Sequence, residues 1–136
     1  MPASPPFALV LENLEVTDAS LRASLRVTPP SLRVSEQLAA TALACRPALA
    51  HHICKQQGIG CFADKLVGTT LPHLVEHIAI DLLVEETPSR PQAGNTTWID
   101  HAQGRMMVRL SSSPHTVQSV RTALIRAVDL VNTLLG

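Results

Sequence analysis

The C-terminal segment carries apolar side chains at one beat. Val117, Val120, Leu124, Ala127, Val128, Val131 and Leu135 recur at three- and four-residue intervals. That spacing draws a single apolar stripe along an α-helix, and a helix with one such stripe has to lay it on another surface. The sequence supplies one. Leu21, Ala23, Leu25 and Val27 alternate with Arg22, Ser24, Arg26 and Thr28, the period of a half-buried strand. Pro29 and Pro30 end it, because proline cannot donate to a ladder. Residues Phe7 to Val16 read as a strand too, and Thr17 to Ser20 can turn the chain, so the two segments form an antiparallel hairpin. A second hairpin is expected from Thr96–Asp100 and Arg105–Leu110, turning through His101 to Gly104.

Between the hairpins the pattern becomes helical. Ser35 is placed as the N-cap of a helix that Pro47 interrupts or ends. His51 to Gly68, with Gly58, Gly60 and Gly68, reads as an ordered loop with a short helical turn around Phe62–Leu66. Thr69 or Thr70 caps the next helix, with Pro72 in its first turn, where a missing N–H costs nothing. This helix runs to about Glu86, and Ile78 to Val84 is apolar nearly all round, so it is covered on more than one side. Thr87 to Asn95 is read as a flexible loop, and Ser113, followed by Pro114, as the cap of the final helix. The expected architecture is α+β: a mainly antiparallel sheet of about four strands from two hairpins, with three helices packed on one face. The 136 residues are too few for two cores. Residues 1–136 are therefore read as a single domain, with 1–6 a flexible N-terminus.

Aromatic residues make up only 2% of the chain, so the core must be built from Leu, Val, Ile and Ala. Eleven basic residues balance eleven acidic ones, which leaves no excess positive charge for nucleic acid. A net charge near zero favours self-association, so a homodimer is an expectation. No segment approaches the roughly 18 uncharged apolar residues of a membrane span. Met1 to Pro6 lacks the basic and apolar regions of a signal peptide. A cytoplasmic protein is expected. Three cysteines, an odd number, point to thiols or metal ligands rather than a disulfide framework.

His73 and His77 stand four residues apart, hence on one helix face, with Glu76 beside them. Two imidazoles at this spacing can share a zinc ion, and a carboxylate that is not a ligand can take a proton from metal-bound water. The His-x-x-Glu-His order is that of the inverzincin peptidases. The same three side chains could equally form a solvated face or a hydrogen-bonded network. Zinc needs a third protein ligand. His52 and Cys54, a His-x-Cys pair about twenty residues upstream, are the leading candidates, and Asp100 and His101 are alternatives. For His52 the ordinary reading is a polar loop, and for Cys54 a small buried hydrophobe. Cys45 is assigned to the core, Cys61 to no role, and His115 to the surface in the first turn of the last helix.

The block from Pro47 to Glu86 resembles the N-terminal domain of cyanophycin synthetase. Pro47 to Cys54 is similar to that family's Pro-Gly-Leu, two residues, His-x-Cys segment. Gly58 to Leu66 resembles its Gly-Gly-Phe and following Arg-Leu. Gly68 to Leu82 resembles its Gly-Thr, His-x-x-Glu-His, Val-Ala-Leu-Glu-Leu series. The likeness extends over roughly Ser31 to Gly136. The sequence departs from the pattern in four places: no Gly-Pro-Asn motif precedes the block, Cys61 stands for a glycine, Asp81 for a glutamate and Leu83 for a glutamine. The polymerising enzyme also has ATP-grasp and Mur-ligase-like domains. This sequence has neither, nor a P-loop pattern, so polymer synthesis is not implied.

The resemblance implies a domain that binds or positions the polymer and, in some members, a His-x-x-Glu-His peptidase site. His73 and His77 would then be metal ligands and Glu76 the general base. Two functions follow as expectations. One is a zinc-dependent hydrolase of peptide or isopeptide bonds, acting on a peptide or a cyanophycin-like polymer. The other is a non-catalytic binding or assembly module on the same fold. A metal-dependent lyase of small molecules rests on the pentapeptide alone.

Overall fold

The computed structural model describes residues 7–17, 19–54, 60–88, 92–112 and 115–136. Residues 1–6, Gly58, Ser113 and Pro114, which figure in the expectations above, lie outside the described residues.

The two hairpins form as expected: β1 (Leu9–Val16) pairs with β2 (Ser20–Val27), and β5 (Gly94–Asp100) with β6 (Arg105–Ser111). They join through an antiparallel β2–β6 ladder, giving one sheet of order β1-β2-β6-β5. The ladder registers Leu21 on Leu110, Ala23 on Val108 and Leu25 on Met106. All six are buried, so the period-two pattern of each strand feeds the same inner face. Arg22, Arg26 and Arg109 point the other way and are exposed.

Among the described residues four α-helices accompany the sheet: α1 (Glu36–Cys45), a one-turn α2 (Phe62–Lys65), α3 (Leu71–Glu86) and α4 (Val117–Leu135). Ser35 caps α1, its hydroxyl accepting from the Leu38 N–H at 3.0 Å. Pro47 ends α1 by opening a 3-10 turn, Pro47–His51. Helix α4 buries Val120, Ala123, Leu124, Ala127, Val128 and Val131. It packs on α3 and on β1 and β2, while α3 packs on β5 and β6. Helix α3 therefore lies beside α4, covered by the β5–β6 half of the sheet on one side and by α4 on another, and every residue from Leu71 to Ala79 is buried. That is the two-sided cover its apolar composition requires.

Several expectations are corrected. The segment expected to be an ordered loop does hold its helical turn, as α2, but it also holds the end of the 3-10 turn and a second sheet of β3 (Ile53–Cys54) with β4 (Gly60–Cys61). Gly94 and Asn95 belong to β5 rather than to the preceding loop. Thr116, not Ser113, caps α4, accepting from the Ser119 N–H. His115 precedes that helix and is half-buried, with Nε2 on the Leu83 carbonyl at 3.1 Å and Nδ1 near Gln92 Oε1 at 2.8 Å. Cys45 is exposed although it follows Leu38 by seven residues and Ala42 by three and so lies on their side of the helix: it is the last residue of α1.

The edge strand β1 is sealed at one point by Asn132 of α4, which donates to the Leu9 carbonyl at 2.9 Å and accepts from its N–H at 3.3 Å. Gly104 closes the β5–β6 turn at φ +70°, and a Cβ there would lie 2.4 Å from the Val27 carbonyl oxygen. Among the described residues no helix is long and apolar enough to cross a membrane.

Candidate metal centre

The site is built on the first two turns of α3. Thr70 caps the helix, its hydroxyl accepting from the His73 N–H at 3.3 Å. The neighbouring Thr69 serves the ring instead, because its hydroxyl lies 2.7 Å from His73 Nδ1 and orients the imidazole. The entry of the chain is fixed by backbone bonds from Val34 to Thr69 and from Gly68 to Val34. His73, Glu76 and His77 are all buried, at 2%, 5% and 4% exposure, so this polar face is enclosed rather than solvated.

The 3-10 turn and β3 bring in the other half. Cys54 is buried, and its Sγ lies 3.4 Å from His73 Nε2. Ligand atoms of Cys54, His73 and His77 all fall within 4.8 Å of one another. His52 stands behind His77 instead, with Nδ1 3.1 Å from His77 Nδ1 and Nε2 3.4 Å from Asp81 Oδ1. Asp100 and His101 are engaged in the β5–β6 turn, Asp100 accepting from the Gln103 N–H and His101 stacking on Trp98 at 3.9 Å. Of the upstream and downstream candidates, Cys54 alone joins the histidine pair.

Phe62 of α2 stacks on His77, ring centroids 3.8 Å apart and planes at 15°, and meets the His73 ring edge-on. Burial pushes His77 down to about 3, with the neighbouring His73 and His52 adding to it. Burial, then the Lys65 charge, pushes His73 down to about 4. Both rings are thus neutral near pH 7, the form with a free lone pair that a metal requires. Glu76 is raised to about 7 by burial, against which the Thr96 hydroxyl, donating at 2.7 Å to Oε1, pulls it down. Glu76 Oε2 lies 3.9 Å from His77 Nε2.

The donor set fits a metal ion. Two ligands on adjacent corners of a Cys/His zinc tetrahedron stand about 3.6 Å apart, given Zn–S near 2.3 Å and Zn–N near 2.1 Å. The Cys54–His73 separation of 3.4 Å matches that edge. Three donors leave one corner, and these residues with Glu76 line a cleft of about 390 Å³ walled by Ile53, Ile80 and residues 92–95. A larger groove of about 560 Å³ between β1 and α4 is lined mainly by apolar side chains, with no histidine or cysteine. It offers volume without the chemistry.

Thr69, Thr96, Asp81 and Phe62 were not singled out as site residues from the sequence. Asp81 had a readable signal, because it follows His77 by four residues and so continues the same helix face. Thr96 had none, since only the fold sets strand β5 against α3.

The sequence model of one family, described as the cyanophycin synthase-like N-terminal domain, matches residues 27–136. No curated protein matches the chain.

Proposed function

Given that the chain belongs to the cyanophycin synthase-like N-terminal domain family, we propose that it is a zinc-dependent hydrolase of peptide or isopeptide bonds. Its substrate is an extended peptide or a cyanophycin-like polymer. The observation that carries the reading is the convergence of Cys54, His73 and His77 within 4.8 Å at the floor of a cleft that Glu76 also lines.

In this reading the Cys54 thiolate and the two imidazoles hold the ion. Zinc so held supplies Lewis acidity, polarising an amide carbonyl and lowering the pKa of water. Glu76 is the general base. It takes the proton of the attacking water and returns it to the leaving amine. Thr96 fixes Glu76 Oε1, which leaves Oε2 to face the reacting atoms. Residues 92–95 wall the cleft beside Glu76, where they would contact the substrate. A second copy of the chain would extend this cleft, and sedimentation of the purified protein tests for one.

Elemental analysis of protein purified without chelators should give one zinc per chain. Glu76→Gln should keep the zinc and abolish hydrolysis of the polymer. Protein that carries no zinc rejects the proposal.

A second reading is a non-catalytic binding or assembly module. It is favoured by the closure of the polar network: among the described residues, no buried side-chain nitrogen or oxygen lacks a hydrogen-bond partner. It predicts that His73→Ala costs stability with no hydrolytic activity to lose.

A further inference from the structure

We infer that Asp81 and His52 form a relay behind the candidate metal centre, setting the tautomer of His77 so that its Nε2 lone pair faces the cleft. The inference rests on the metal reading above and goes beyond it, since neither residue touches the ion.

The geometry is a chain of four groups. Arg46 Nε donates to Asp81 Oδ2 at 2.7 Å and so holds one oxygen of the carboxylate. The other oxygen, Oδ1, lies 3.4 Å from His52 Nε2. His52 Nδ1 lies 3.1 Å from His77 Nδ1. His77 and Asp81 are one helical turn apart on α3, and His52 enters between them from the end of the 3-10 turn.

The protons follow from donor and acceptor chemistry. A carboxylate only accepts, so His52 Nε2 must carry the hydrogen. A neutral imidazole has a single N–H, and in His52 that hydrogen is the one on Nε2 facing Asp81. Its Nδ1 is therefore an acceptor, and the hydrogen in the His52–His77 contact belongs to His77 Nδ1. His77 Nε2 is left bare, on the side of Glu76, which lies 3.9 Å away. Asp81 fixes the first proton of this series, and the others have no freedom left. A metal-ligating imidazole that donates its second N–H to a fixed partner is both oriented and more basic.

Zinc affinity, measured by competition with a chromogenic chelator, tests the relay. Loss of such an outer partner weakens binding about 10- to 100-fold, and that is expected for His52→Ala and for Asp81→Asn. His52→Asn places an acceptor where Nδ1 stood and should recover most of the affinity. Far-ultraviolet circular dichroism checks that each variant is folded. Cobalt in place of zinc adds a second readout: its visible bands should shift in His52→Ala and return in His52→Asn. Wild-type protein that binds zinc, with His52→Ala and Asp81→Asn binding it as tightly, overturns the relay alone. Wild-type protein that binds no metal overturns the relay together with the centre it serves.

Discussion

Glu76→Gln should stabilise the metal-free protein, and only above the acidic range. Glu76 is buried, and its carboxyl is raised from the ordinary 4.5 to about 7. A raised carboxyl favours the neutral form in the folded chain. Its contribution to stability is therefore complete below 4.5 and is lost as pH climbs through about 7. Carried through the linkage relation, that displacement costs the folded protein about 3 kcal/mol once both states are ionised. At about pH 5 the cost is under about 1 kcal/mol, so between about pH 5 and pH 8 the wild-type chain forfeits about 2–3 kcal/mol. The glutamine that replaces Glu76 does not ionise, and its amide oxygen can still accept from Thr96. His73 and His77, lowered to about 4 and about 3, have the opposite sign: their contribution is present above their unfolded value and lost as pH falls. They are common to both proteins and cancel in the comparison. Urea unfolding of wild type and Glu76→Gln in chelator gives the difference directly. A gap that stays constant from pH 5 to pH 8 would refute the assignment of a neutral-tending carboxyl to Glu76.

Three further outcomes follow from the packing. Thr96→Val removes the hydroxyl that donates to Glu76 Oε1, so the carboxyl should rise further and stability at pH 8 should fall by about 1–3 kcal/mol, with a smaller loss at pH 5. Gly94→Ala would put a Cβ 2.8 Å from Leu110 Cδ2, 2.9 Å from the Arg109 carbonyl oxygen and 3.3 Å from Glu76 Cγ. It should cost about 1–3 kcal/mol in urea unfolding, and a neutral result would mean that β5 gives way at its first residue. Leu124→Ala, in the fully buried stripe of α4, should cost about 2–5 kcal/mol with an unchanged m-value.

The elements were legible because their signals are local. Alternation in Leu21–Val27 and the three-and-four beat of Val120–Val131 need only the geometry of one strand or one helix; β2 begins one residue before its expected start and α4 three residues after its own. Capping at Ser35 and Thr70 was legible for the same reason, as the hydroxyl reaches an N–H three residues on. The short hairpin of β3 and β4 was not, because two-residue strands carry no period, and Cys45 shows that a residue in line with buried Leu38 and Ala42 can still be exposed at the end of its helix.

What the sequence by itself determined is that His73, Glu76 and His77 share one helix face, since four residues make about one turn whatever the helix packs against. Which side chains meet that face was decided by the tertiary structure. Cys54 comes from a strand 19 residues upstream of His73 and Thr96 from a strand 20 residues downstream of Glu76, while His52 is turned behind His77. Those meetings depend on how α3 seats between the sheet, α4 and the 3-10 turn. That seating is fixed by the burial of many side chains at once, and no spacing along the chain encodes it.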